Sequence, residues 1–198
     1  MRRNRVPLSV LAAALSACVV EPEMLNSERI ESQFGSFGID VISYEKGVRR
    51  ANLYSIDNAQ RVCRTYAVVH FDDVPEDSIG PEHARIVAGA SIGATFKANG
   101  WQIFKETLYL GDLTLTPAEQ AISTLMHLDE STDVAMHVYR LLIRKESQII
   151  EYATIIEMHH PQYLGLERLH ELFAVDILAE PEPHLLDEWI ALLTSEAR

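Results

Sequence analysis

The chain has 198 residues, 47% of them apolar and 23% charged, a balance that fits one globular unit with a sizeable core and argues against wholesale disorder or a repeat array. Its 29 acidic residues against 17 basic ones give a formal charge of -12, which argues against the basic face that nucleic acid requires.

In chain order the first pattern is a targeting one. Arg2, Arg3 and Arg5 precede an uncharged run of 12 residues ending at Ala17, the charged head and short apolar middle of a secretory signal. The run is too short to span a bilayer as a helix. It closes on Leu15-Ser16-Ala17-Cys18, and on these residues the chain resembles the bacterial lipoprotein family through its lipobox. The resemblance implies a diacylglyceryl group on the Cys18 thiol, cleavage just before Cys18, and acylation of the new amine. The bilayer is then a partner through Cys18. An ordinary secretory signal that happens to be followed by a cysteine is the alternative. The apolar residues of a twin-arginine signal do not follow Arg2-Arg3, so the general secretory route is expected. Val19 stands where an aspartate would retain a lipoprotein at the inner membrane; the resemblance therefore implies the periplasmic leaflet of an outer membrane. Two or more acyl chains, at about 0.8 kcal/mol per buried methylene, hold a protein stably. Without residues 1–17 the charge becomes -15, so the body should hang from its anchor and not lie on anionic lipid.

Residues 18–27, with Pro22 and Asn26-Ser27, read as a tether, and a short helix is expected over 27–33 with Ser27 as its cap. Residues 37–44, 48–56 and 61–71 alternate between apolar and polar across tight turns, which predicts a three-stranded antiparallel meander. In the third segment alternation puts Cys63, Thr65, Ala67, Val69 and Phe71 on one apolar face. Cys63, the second of two cysteines, then reads as a small buried hydrophobe; a reactive thiol would need exposure and a lowered pKa. One helix is expected from Pro81 to Lys97, stopped by Asn99-Gly100, with Gly89 and Gly93 inside it as close-packing positions. They lack the lysine ending of a phosphate loop.

Residues 101–110 predict a strand leaving through Gly111-Asp112, and Thr116-Pro117-Ala118-Glu119 opens a helix. Residues 134–144 and 148–158 form the clearest hairpin, and a helix over 164–173 follows. Residues 179–183 are an acidic, proline-containing spacer. The helix beyond it carries Leu185, Trp189, Ile190 and Leu193 along one stripe, either docked on its own domain or offered to a partner's groove. The expected organisation is thus a signal (1–17), a tether (18–27), one α+β domain (28–178), and a spacer with a terminal amphipathic helix (179–198). That domain is expected to be an antiparallel sheet of about six strands with helices on one face. The element order suggests a duplicated strand-strand-strand-helix unit, although no residue-level repeat accompanies it.

For chemistry, Glu157, His159 and His160 are the candidate metal ligands. Alternation turns His160 away from the other two, leaving two neighbours where a metal needs three or four donors. No metal or other cofactor is therefore expected. No nucleophile elbow or His-Glu-x-x-His pattern occurs, and Glu106, Glu151 and Glu157 carry no sign of the burial that acid–base work would require. The expected function is a lipid-anchored, non-catalytic interaction or accessory module of the cell envelope. Its contacts with an envelope partner would be the acidic surface and the terminal helix. Two alternatives stand beside it. One is a carrier whose cavity would be lined by Phe37, Tyr66, Trp101, Phe104 and Tyr109. The other is a hydrolase or metal-dependent enzyme, which would require two or more of His137, Glu157, His159 and His160 to converge in one concave pocket.

Overall fold

A computed structural model describes residues 24–71, 74–129, 131–173 and 183–194. The signal, Cys18, most of the tether and the spacer at 179–182 lie outside the described residues.

Helix α1 (Asn26–Phe34) leads into strands β1 (Gly38–Glu45), β2 (Val48–Asp57) and β3 (Gln60–His70). Helices α2 (Glu76–Val87) and α3 (Ile92–Ala98) separate these from β4 (Gln102–Thr114), and α4 (Gln120–Met126) precedes the β5 (Asp133–Lys145) and β6 (Gln148–His159) hairpin. Helices α5 (Leu166–Phe173) and α6 (Pro183–Thr194) complete the described chain. The fold is α+β, and its six strands form one antiparallel sheet in the order β1-β2-β3-β6-β5-β4.

Several local readings are corrected. The residue before α1 is Leu25, and its N–H is met by the Glu28 carboxylate at 2.9 Å, so Ser27 is not the cap. The single helix expected over 81–97 is two, because the chain turns at Gly89, whose φ of 116° only glycine adopts freely, and Ser91 then caps α3. Gly93 does allow a close approach, but to α1 and not to the sheet: a Cβ there would stand 2.8 Å from a Leu25 methyl. Strand β4 continues through Gly111-Asp112 to Thr114. Gly111 lies under the Tyr109 ring and leaves no room for a side chain.

The sheet consists of two three-stranded meanders joined where β3 meets β6. Matching features recur 88 residues apart. Tight turns lead into Gln60 and Gln148, and single-residue bulges fall at Arg64 and Tyr152. Val68 and Ile156, equivalent by this offset, pair directly across the seam, as they would on a local two-fold axis. The same offset carries α5 onto α2. The backbone thus fits the duplicated unit suggested by element order, with α4 inserted between β4 and β5 in the second copy.

Helices lie on both faces of the sheet, a departure from the one-sided arrangement expected. On the first face Ile30 of α1, Ile79 and Ile86 of α2, Phe96 of α3 and Leu169 and Phe173 of α5 cover Val69, Ala135, Tyr139 and Ile155. On the second, Ile122 and Met126 of α4 and Trp189 and Leu193 of α6 cover Cys63, Tyr66, Val68, Met136, Val138 and Ile156. The physical reason is strand alternation: β3, β5 and β6 are apolar on both sides, so each side must be covered.

Candidate functional site

The bulge at Tyr152 decides which residues of β5 and β6 face each other. Beyond it, His137 lies opposite Glu157, and Ala135 opposite His159. Residues paired across an antiparallel ladder share a face, so His137, Glu157 and His159 converge on the first face, near the seam. One ring nitrogen of each histidine and one Glu157 oxygen lie within 4.8 Å of one another, and all three residues are buried. His159 Nε2 stands 3.8 Å from Glu157 Oε2.

Each of the three is also held at a second atom. His159 Nδ1 is hydrogen-bonded to Thr65 Oγ1 at 3.0 Å, and His137 Nε2 to Thr107 Oγ1 at 3.1 Å. Asn26 Nδ2, at the start of α1, donates to Glu157 Oε1 at 3.1 Å and to Thr65 Oγ1 at 3.2 Å. The Tyr163 hydroxyl in turn donates to Asn26 Oδ1. Above the group, Phe173 of α5 stacks on the His137 ring at 4.5 Å, and the Tyr163 ring meets His159 edge-on. Helices α1 and α5 thus roof a polar cluster inside an apolar face.

Burial governs its protonation. Desolvation, aided by the positive charges of Lys105 and Arg29, pulls His159 down to about 3 and His137 well below the ordinary histidine range. Both rings are therefore neutral at pH 7. Burial raises the Tyr163 hydroxyl, which stays a donor.

His160 does not join them. Its N–H donates to Arg64 O, and its Nδ1 accepts from the Gln162 N–H at 3.0 Å, in the turn that leaves the sheet. Glu106 and Glu151 are separated from Glu157 as well, because both face Arg140, Glu106 at 2.8 Å and Glu151 at 4.0 Å. Nor do the proposed cavity residues line one common space, and Phe37 packs against the core under α1 and α5. Tyr66 and Tyr109 belong to the second-face core, Trp101 packs with Phe96 and Tyr152 on the first, and Phe104 lies under the Arg144 guanidinium.

The terminal helix turns its stripe inward. Trp189 and Leu193 are buried in the second-face core, Leu185 packs against that core, and Ile190 is half-buried. Of the two arrangements open to Leu185, Trp189, Ile190 and Leu193, the structure has the docked one, reinforced by Arg50 donating to Leu192 O at 3.0 Å.

Cys63 is fully buried, but on the opposite face from the one alternation gave it, because the Arg64 bulge reverses the side on which it points. Burial pushes its thiol up to about 12. The native protein is expected to resist maleimide over hours while the urea-unfolded chain reacts within minutes. Rapid native labelling of a Cys18→Ser variant, followed by mass spectrometry, would show this packing to be wrong.

The comparison of the chain with protein-family models gives no match, and neither does the comparison with curated proteins.

Of the cluster, the sequence points to Glu157 and His159. It passes over Asn26, Thr65, Thr107 and Tyr163, and weighs His137 only as one member of an enzyme site. The overlooked signal at His137 is a histidine inside the otherwise apolar run from Val134 to Ile143, a position that forces burial and so demands partners.

Proposed function

We propose that this chain is a lipid-anchored protein of the cell envelope, held through acylated Cys18, whose α+β body serves as a non-catalytic accessory or interaction module. The observation that carries the reading is the ordered set Leu15-Ser16-Ala17-Cys18 behind a basic head and a 12-residue uncharged run. In this reading the acyl chains supply the attachment; no helix of the described residues is long and apolar enough to cross a membrane. The short stretch between Cys18 and α1 sets the body close to the bilayer, where a mature charge of -15 keeps it off anionic lipid. The strongest convergence of titratable groups among the described residues is roofed by α1 and α5, which supports action by contact over turnover of a substrate.

With Trp189 and Leu193 docked, the contact surface in this proposal is the acidic exterior, and the partner is an envelope component with a basic face. The deciding experiment is intact-mass analysis of the membrane-extracted protein, paired with fractionation of a Cys18→Ser variant. The expected result is a mature chain beginning at acylated Cys18 and near-complete loss of the variant from membranes, as an uncleaved or soluble form. An unacylated wild-type N-terminus, or a precursor in the cytosol, would overturn the proposal.

A further inference from the structure

The residues that hold the buried cluster leave a consistent remainder. Thr107 occupies His137 Nε2, Thr65 occupies His159 Nδ1, and Asn26 occupies Glu157 Oε1. The atoms left over are His137 Nδ1, His159 Nε2 and Glu157 Oε2; neither of these nitrogens has a hydrogen-bond partner, and His137 and His159 are 0% and 1% exposed. A buried imidazole nitrogen without a partner forfeits its hydration with nothing in return. Two such atoms beside one carboxylate oxygen call for a common occupant.

We propose that His137, Glu157 and His159 form a binding site for a divalent transition-metal ion, with Thr107, Asn26 and Thr65 as the groups that orient the three ligands.

The fit can be stated atom by atom. Zinc-type ions take imidazole nitrogen and carboxylate oxygen at about 2.0–2.2 Å, which places tetrahedral donors about 3.4 Å apart. The 3.8 Å between His159 Nε2 and Glu157 Oε2 is within a small side-chain rotation of that, and His137 also brings one ring nitrogen within 4.8 Å of a ligand atom of each of the other two, a spread that closes by about 1 Å or more. Thr65 Oγ1 has two lone pairs and can accept from both Asn26 Nδ2 and His159 Nδ1–H, which fixes the tautomer with Nε2 bare.

The charges around the site select the ion. Arg29 of α1 and Lys105 of β4 face it against the single carboxylate of Glu157. Calcium and magnesium, which depend on several oxygen ligands and summed negative charge, are poorly served. Zinc, cobalt, nickel and iron, which bind strongly to neutral imidazole, are suited. Because α1 and α5 roof the cluster, loading belongs to folding or to the lifting of a covering helix, and the ion would pin β5 and β6 to their neighbours.

The test uses the full chain in detergent, unfolded, stripped with chelator and refolded with Co2+ alone. The expected result is about one cobalt per chain that survives gel filtration, with the visible spectrum of nitrogen–oxygen ligation. Glu157→Gln and His159→Gln should lose it, and Thr65→Val and Thr107→Val should weaken binding about 10- to 100-fold. Wild-type protein that refolds without retaining cobalt overturns the proposal, as does cobalt held equally by the Glu157→Gln and His159→Gln variants. Should those variants fail to fold, X-ray absorption of the wild-type cobalt complex decides. Two imidazoles in the shell uphold the site, and an oxygen-only shell removes it.

Discussion

Trp189→Ala is expected to lower the unfolding free energy by about 3–5 kcal/mol, the range for deleting a large aromatic from a core. Trp189 contacts Tyr109 at 6.5 Å between ring centroids and belongs to a core shared with Tyr66, Met136 and Ile156. Its loss leaves a cavity and loosens the hold on Leu193, so α6 should detach in part. Urea unfolding followed by circular dichroism reads the change as a shift in midpoint, and hydrophobic-dye binding reports uncovering of the second face. A change below about 1 kcal/mol would mean that α6 contributes little to the fold. That outcome would return its stripe to the list of surfaces free for a partner.

Acid should destabilise the metal-free protein steeply. His159 and His137 are held far below the ordinary histidine range by burial, with Lys105 from β4 and Arg29 from α1 adding to the effect. Glu157 of β6, Thr65, Thr107 and the Tyr139, Tyr163 and Phe173 rings also surround them. A depressed histidine contributes stability that is complete above the unfolded pKa of about 6.5. Below that value the unfolded chain binds protons that the folded chain refuses, and stability falls toward the folded pKa, about 3 for His159. Each imidazole contributes a slope of up to about 1.4 kcal/mol per pH unit between its unfolded and folded pKa, and the two contributions add. Against a typical total of about 5–15 kcal/mol, such a slope removes a large share of the stability as the pH falls. Urea titrations at a series of pH values, in chelator, measure the slope. His159→Gln and His137→Gln should each flatten it by about 1.4 kcal/mol per unit. An unchanged slope in both variants would show that these rings titrate as they do in water.

Much of the fold is legible because it follows from period and punctuation. The β5–β6 hairpin shows in alternation on either side of Glu146, whose positive φ completes the turn. The burial of Cys63 follows from its apolar neighbours, and the inward stripe of α6 from helical spacing. What could not be read depends on single-residue irregularities. Counting back from the Lys145–Gln148 turn would place His137 opposite Ile156, on a face to which β6 contributes no carboxylate. The bulge at Tyr152 moves the register by one and brings in Glu157; the bulge at Arg64 likewise sends Cys63 to the other side. At one of them the Arg64 guanidinium lies 3.9 Å over the Phe34 ring, a contact between elements far apart in sequence. Local propensity carries no trace of them. The split between α2 and α3 is different: Gly89 stands plainly in the sequence, but close packing and a left-handed turn both call for glycine, and only the backbone φ distinguishes them.

The correspondence between the two meanders also bears on the cluster. Moving back 88 residues, His137, Glu157 and His159 fall on Arg49, Val69 and Phe71. Val69 and Phe71 are ordinary members of the hydrocarbon interior beneath α2, and Arg49 is buried beside them, donating to the Ala90 carbonyl. The same backbone positions hold two apolar side chains and a buried arginine in one half, so the scaffold makes no demand for imidazole or carboxylate in the other. Their presence is a departure from internal symmetry, and such departures are where selection for something other than folding leaves its mark.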